Sequence, residues 1–156
     1  MKVLLLVVGK TEEGCWKEAM DVYSRRLVRY IPFETVVINE PKKHDRSVSQ
    51  LKEREGRLVV QTLEADDCCI LLDERGQEFT SREFASYIEK KMLSSYKRLV
   101  FVAGGPYGFS DEVYARVMER LSLSKMTFSH QMVRPVFVEQ LYRAMTILHG
   151  GQYHHD

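Results

Sequence analysis

Short apolar runs recur along the chain at intervals that a helix fills, and this alternation constrains the fold more than any other feature. The first run, Lys2–Val8, is Leu and Val throughout after its lysine, as expected of an inner strand buried on both faces. Residues 13–30 then repeat apolar positions at Trp16, Ala19, Met20, Tyr23, Leu27 and Tyr30, the three- and four-residue steps of an amphipathic helix. A second strand is predicted at Phe33–Ile38, a polar stretch at 39–47 and a helix over 48–63. The pattern continues with a strand at 68–72, a glycine turn at 74–77, and a helix capped by Thr80 or Ser81 that carries Phe84, Tyr87, Ile88 and Met92. A fourth strand at 99–103 precedes a helix capped by Ser110 and reaching about Arg120. A short fifth strand is expected at 125–128 and a last helix at 135–148. Strands joined by crossover-length helices predict an α/β fold, a mostly parallel sheet with helices on both faces.

A length of 156 residues with 44% hydrophobic content suits a single domain over 1–156. The net charge of +1 is far from the strongly basic balance of a dedicated nucleic-acid-binding module. The opening MKVLLLVVGK has no small-residue cleavage pattern, and no stretch is long enough to span a bilayer, so a cytoplasmic enzyme without membrane contact is expected. Cys15, Cys68 and Cys69 lack a C-x-x-C spacing and read as three buried thiols.

Two segments have the character of a ligand site. The strand at 99–103 runs into Gly104-Gly105-Pro106-Tyr107-Gly108 and then a capped helix, the layout of a binding loop at a strand's carboxyl end. The spacing is neither G-x-G-x-x-G nor G-x-x-x-x-G-K. Pro106 offers no N–H, and Asp111 and Glu112 put carboxylates in the first helical turn, so an uncharged or cationic ligand fits better than a phosphate. The alternative reading of the glycines is a plain tight turn between strand and helix. The second segment, LSLSKMTF at 121–128, alternates hydroxyls with apolar groups and suits either the wall of a slot for a base or an irregular edge strand.

The motifs VVGK, LLDERG, FVAGGPYG, LSLSKMTFSHQMVR, EQLYRA and the closing YHHD stand in the order and spacing of one family. From terminus to terminus the chain resembles the RlmH (YbeA-like) family of SPOUT methyltransferases. The resemblance implies a SPOUT-type α/β knot, in which the C-terminal part of the chain threads a loop to form a trefoil knot. No periodicity argument predicts such a knot. It also implies S-adenosyl-L-methionine (SAM) as cofactor, bound by Leu72, Gly104, Leu123, Ser124, Lys125, Met126, Thr127 and Phe128, with no metal. The implied activity is methylation of N3 of a pseudouridine in 23S ribosomal RNA, on the assembled ribosome, by a homodimer whose active site combines both subunits. The chain departs from the family pattern at Ser129, Pro135 and His155.

An imide nitrogen is a poor nucleophile until it loses its proton, so transfer needs proton removal and alignment with the methyl donor. His154, Arg134 and Tyr142 are the expected catalytic residues, with His130, Arg143, Tyr153 and His155 as further candidates. A histidine titrates in the useful range, and an arginine stabilises negative charge on the imide oxygens. The tail 153–156 follows Gly150-Gly151 and is expected to add little to any core. Lys42, Lys43 and Arg46 are candidates for the RNA face. The alternative is a non-catalytic ribosome-associated protein of the same fold. An enzyme acting on a small nucleotide is disfavoured by the missing fingerprints, and a hydrolase by the missing G-x-S-x-G elbow.

Overall fold

A computed structural model describes residues 1–39 and 47–155. Five strands form one parallel sheet in the order β2-β1-β4-β3-β5, with β1 at Lys2–Val8, β2 at Phe33–Ile38, β3 at Asp67–Gln77, β4 at Arg98–Ala103 and β5 at Glu119–Leu121. Helices α1 (Gly14–Leu27), α3 (Ser81–Met92) and α5 (Val133–Leu148) cover one face, and α2 (Val48–Thr62) and α4 (Asp111–Arg116) the other. The period of two explains why the inner strands are apolar throughout. Val3, Leu5 and Val7 of β1 enter the core beneath α1, α3 and α5, whereas Leu4, Leu6 and Val8 enter the core beneath α2 and α4. Each such side chain contributes about 1.5–3 kcal/mol by leaving water.

Helix starts follow the expected caps. Thr80 and Glu83 form a reciprocal capping box at α3, and the Ser110 hydroxyl accepts from Val113 N at α4. Helix α5 begins two residues before Pro135, which sits harmlessly in the first turn.

Three expectations change. Residues 74–77 are not a turn: β3 continues through them after an irregularity between Leu72 and Gln77. Gly76 allows this, since a Cβ there would lie 2.6–2.7 Å from the backbone of Arg120 and Leu121. The fifth strand is Glu119–Leu121 rather than 125–128, and α4 stops at Arg116 with extended backbone at Val117. Residues 125–128 form a loop because nearby hydroxyls engage the backbone. Ser122 Oγ donates to Ser124 O at 2.9 Å, and Met126 N donates to Ser124 Oγ at 2.9 Å, drawing the segment away from a sheet ladder. Finally, Cys68 is buried and Cys69 half-buried, but Cys15 is exposed on α1. Burial pushes the Cys69 thiol up to about 11, keeping it protonated at neutral pH.

Candidate functional site

Parallel strands leave their carboxyl ends side by side, and the register aligns Leu72 of β3 with Ala103 of β4. A cavity of about 360 Å³ opens at these ends. Its walls are Leu72–Arg75 of β3, the turn 103–109 after β4, and parts of the segment 121–133, with Lys52 of α2 at one edge. This is where an open α/β sheet places a ligand. The loop is shaped by its glycines. Gly108 has φ +77°, and a Cβ on Gly105 would meet the Glu55 carboxylate at 2.5 Å. At Gly104 a Cβ would touch the Phe109 ring at 3.1 Å, so the absent side chain lets that ring pack against the loop backbone at the cavity wall.

The polar wall is pre-organised. Tyr114 donates its hydroxyl to Asp73 Oδ2 at 2.5 Å, and Arg75 Nη2 donates to that hydroxyl oxygen at 2.6 Å. Burial acts to raise the Asp73 carboxyl, but the Tyr114 hydroxyl and the Arg75 backbone N–H outweigh it and hold the group below its ordinary value. A lowered native pKa adds stability above the unfolded value and loses it as pH falls through the native one. Tyr114→Phe is therefore expected to cost about 1.5–2 kcal/mol at neutral pH. The difference from wild type should shrink below about pH 4, as Asp73 protonates. Urea unfolding of both proteins from pH 7 to pH 3 checks this, and a cost independent of pH would contradict the charged bond. On the facing wall, Thr127 Oγ1 donates to Glu74 Oε2 at 2.8 Å.

Of the eight residues expected around a cofactor, Leu72, Gly104, Leu123, Ser124, Met126, Thr127 and Phe128 all line this cavity. Lys125 does not. Its side chain is 87% exposed and its ammonium lies 3.9 Å from Glu78. His130 also lines the cavity. Sequence reasoning missed Asp73, Tyr114 and Lys52. The signal for Asp73 lay in LLDERG, whereas Tyr114 and Lys52 sit on helices whose docking no local pattern encodes.

The expected catalytic residues lie elsewhere in the chain. Arg134 is fully buried beneath the end of β1. Its Nη2 donates to Val8 O at 2.6 Å and its Nη1 to Gly9 O at 3.0 Å and Thr11 Oγ1 at 3.1 Å, so within one chain the guanidinium is committed to two backbone carbonyls and a hydroxyl. Arg134→Met, similar in volume, would leave those carbonyls without donors. It is expected to lower unfolding free energy by about 2–3 kcal/mol in urea titrations; a change within experimental error would show the clamp to be idle.

Tyr142 belongs to an aromatic cluster on α1 and α5, with ring centroids 6.0 Å from Tyr23, 6.0 Å from Tyr30 and 4.7 Å from Tyr153. The tail is not the loose appendage its composition suggests. Tyr153 donates to Glu139 Oε1 at 2.9 Å, lies 3.3 Å from the Tyr23 hydroxyl, and stacks beneath the Arg143 guanidinium at 4.7 Å. Burial, with these bonds, raises the Tyr153 hydroxyl above its ordinary value, so it stays protonated at neutral pH. His154 is half-buried beside this cluster, and neither it nor Tyr142 lines the cavity. Lys42, Lys43, Arg46 and Asp156 lie outside the described residues. Among the described residues no group of three potential metal ligands converges, and no helix is long and apolar enough to cross a membrane.

Comparison with known proteins supplies the family. The family described as "Predicted SPOUT methyltransferase" matches residues 1–154. Curated relatives named "Ribosomal RNA large subunit methyltransferase H" include one from Parabacteroides distasonis, 55% identical over 157 residues, and one from Bacteroides thetaiotaomicron, 54% identical over 157; each alignment covers 100% of both chains. A third, from Cytophaga hutchinsonii, is 52% identical over 99% of this chain and 100% of its own. With a family match over nearly every residue and full-length relatives above half identity, the chain belongs to the SPOUT methyltransferase family, in the branch whose curated members carry the ribosomal RNA large subunit methyltransferase H name.

Proposed function

We propose that the chain is a single-domain, SAM-dependent methyltransferase of the cytoplasm that methylates N3 of a pseudouridine in 23S ribosomal RNA, working as a homodimer on the assembled ribosome. The observation that carries this reading is the cavity itself. It brings together Leu72, Gly104 and most of the segment 123–128 from three separate stretches of chain, at the strand ends where the family is expected to hold its cofactor.

The cavity fits the cofactor in kind. Apolar Leu72, Leu123 and Phe128 offer surface for an adenine ring, the hydroxyls of Ser124 and Thr127 belong to the same lining, and Gly104 adds backbone with no side chain of its own. Ionised Asp73, with Asp111 and Glu112 at the start of α4, disfavours a phosphate and tolerates a cationic ligand. When bound, SAM supplies a methyl group made electrophilic by the sulfonium. The chain's own residues must hold the acceptor base, exclude water and take the N3 proton. His130 is at the cavity, but His154 and Tyr142 are not, so His154 of the partner subunit is the group we assign to the proton. The exposed Val22 and Val28 of the α1 region, next to the tyrosine cluster, suit a subunit contact that would carry one tail toward the other cavity. The near-neutral charge fits a substrate presented by an assembled ribosome, where phosphate attraction need not supply all of the affinity.

The test is tritiated methyl incorporation into ribosomes from cells lacking the gene, with mass spectrometry to identify the modified nucleoside. Calorimetry with S-adenosylhomocysteine measures cofactor binding independently of transfer. Binding without transfer would favour a non-catalytic ribosome-associated role; no binding would remove the cofactor assignment.

A further inference from the structure

Strands β1 and β4 end side by side, next to Leu72 of β3. Leu72–Arg75 of β3 and the end of β4 line the cavity, whereas residues 9–12 after β1 do not. Register nevertheless brings this loop close: Val7 pairs with Ala103, so Gly9 leaves β1 beside the Gly104-Gly105 turn. It is also held to the cavity's own segment. Gln131 Nε2 donates to Lys10 O at 3.0 Å, and Glu12 N donates to Gln131 Oε1 at 3.1 Å. Arg134 adds its bonds to Val8 O, Gly9 O and Thr11 Oγ1. Both residues follow closely on His130, a cavity residue. Two side chains thus fix the loop backbone relative to the cavity, while the side chain of Lys10 stands in solvent.

A fixed backbone carrying an exposed ammonium is a pre-organised anion contact, because little ordering remains to be done on binding. No carboxylate among the described residues makes an ion pair with Lys10, and the Glu13 carboxylate faces Cys15 Sγ at 4.0 Å. The acceptor base must approach the mouth of the cavity, so its strand brings phosphates to this edge, and a lysine serves a phosphate as a point charge. We propose that Lys10 contacts a phosphate of the RNA strand carrying the acceptor nucleotide, and that Gln131 is the positioning residue that holds it there. This rests on the proposed RNA methyltransferase activity.

The experiment is steady-state methyl transfer to ribosomes lacking the modification, at several salt concentrations, with S-adenosylhomocysteine calorimetry on every variant. Lys10→Ala is expected to raise KM about tenfold with kcat nearly unchanged, and to lower the slope of log KM against log salt by about 0.7–0.9, the loss of one phosphate contact. Lys10→Arg should keep most of the activity. Gln131→Ala should raise KM to a similar extent, and in the Lys10→Ala background it should add nothing, since it acts through Lys10. A purely structural role would instead multiply the losses or weaken S-adenosylhomocysteine binding, and either result overturns the assignment of Gln131. Wild-type KM and salt slope in Lys10→Ala overturn the Lys10 contact alone. Absence of transfer by the wild-type protein overturns the functional reading and this proposal with it.

Discussion

Gly104→Val is expected to weaken S-adenosylhomocysteine binding at least 100-fold in calorimetry, while the protein remains folded. A Cβ at this position would lie 3.1–3.4 Å from three atoms of the Phe109 ring, and Phe109 is 5% exposed within the core beneath α2 and α4. The two γ-methyls of valine must then either displace that ring or project into the cavity. Displacing the ring costs about 1–3 kcal/mol of overpacking. Filling the cavity removes the space in which an adenosyl group lies against the backbone. Gly104→Ala adds only the Cβ and should fall between the two. Equal affinity for wild type and Gly104→Val would remove the cavity from cofactor binding, and thermal unfolding of the same samples separates a blocked site from a lost fold.

His154→Ala is expected to slow methyl transfer on ribosomes at least 100-fold, the usual scale for losing a general base. His155→Ala should stay within a few-fold, and neither should alter S-adenosylhomocysteine binding. Point substitution tests this better than truncation. Removing residues 153–156 also removes the Tyr153 ring from its contacts with Tyr142, Glu139 and Arg143, so a truncated chain loses packing as well as chemistry. A mixing experiment isolates the role of the second subunit. If each cavity is served by the partner's tail, heterodimers formed from Gly104→Val and His154→Ala subunits contain one complete site. Subunit exchange between two inactive homodimers should then restore about a quarter of wild-type activity. No recovery on mixing would show that His154 acts on its own chain's cavity or not at all, and would shift attention to His130.

Much of the architecture is legible in the residues. The apolar runs of β1 and β4 and the caps Thr80 and Ser110 are local signals, because burial on both faces and satisfied helix ends leave marks within a few positions. The residues of the cavity are legible in a different way. Its glycines and its LSLSKMTF segment each permitted a bland reading, and the family resemblance joined them before geometry did. The two misread segments have different causes. At 74–77 a glycine carries weak propensity and a partner far away in sequence, the β5 backbone against Gly76, determines the outcome. At 125–128 the hydroxyls of Ser122 and Ser124 engage the local backbone, and Thr127 bonds to the distant Glu74.

By itself, then, the sequence determined the alternating elements, their parallel pairing, the apolar lining of the sheet and, through resemblance, the family. Only the tertiary structure decided what the polar residues do. Arg134 looks like a catalytic cation along the chain and is a buried clamp in the fold, because the three oxygens it satisfies lie more than 120 positions away. Asp73 and Tyr114 look ordinary and form the polar wall of the cavity from 41 residues apart. Apolar periodicity is written in neighbouring residues because burial is a property of a face. The role of a polar group depends on its partners, and those are chosen when the chain closes on itself.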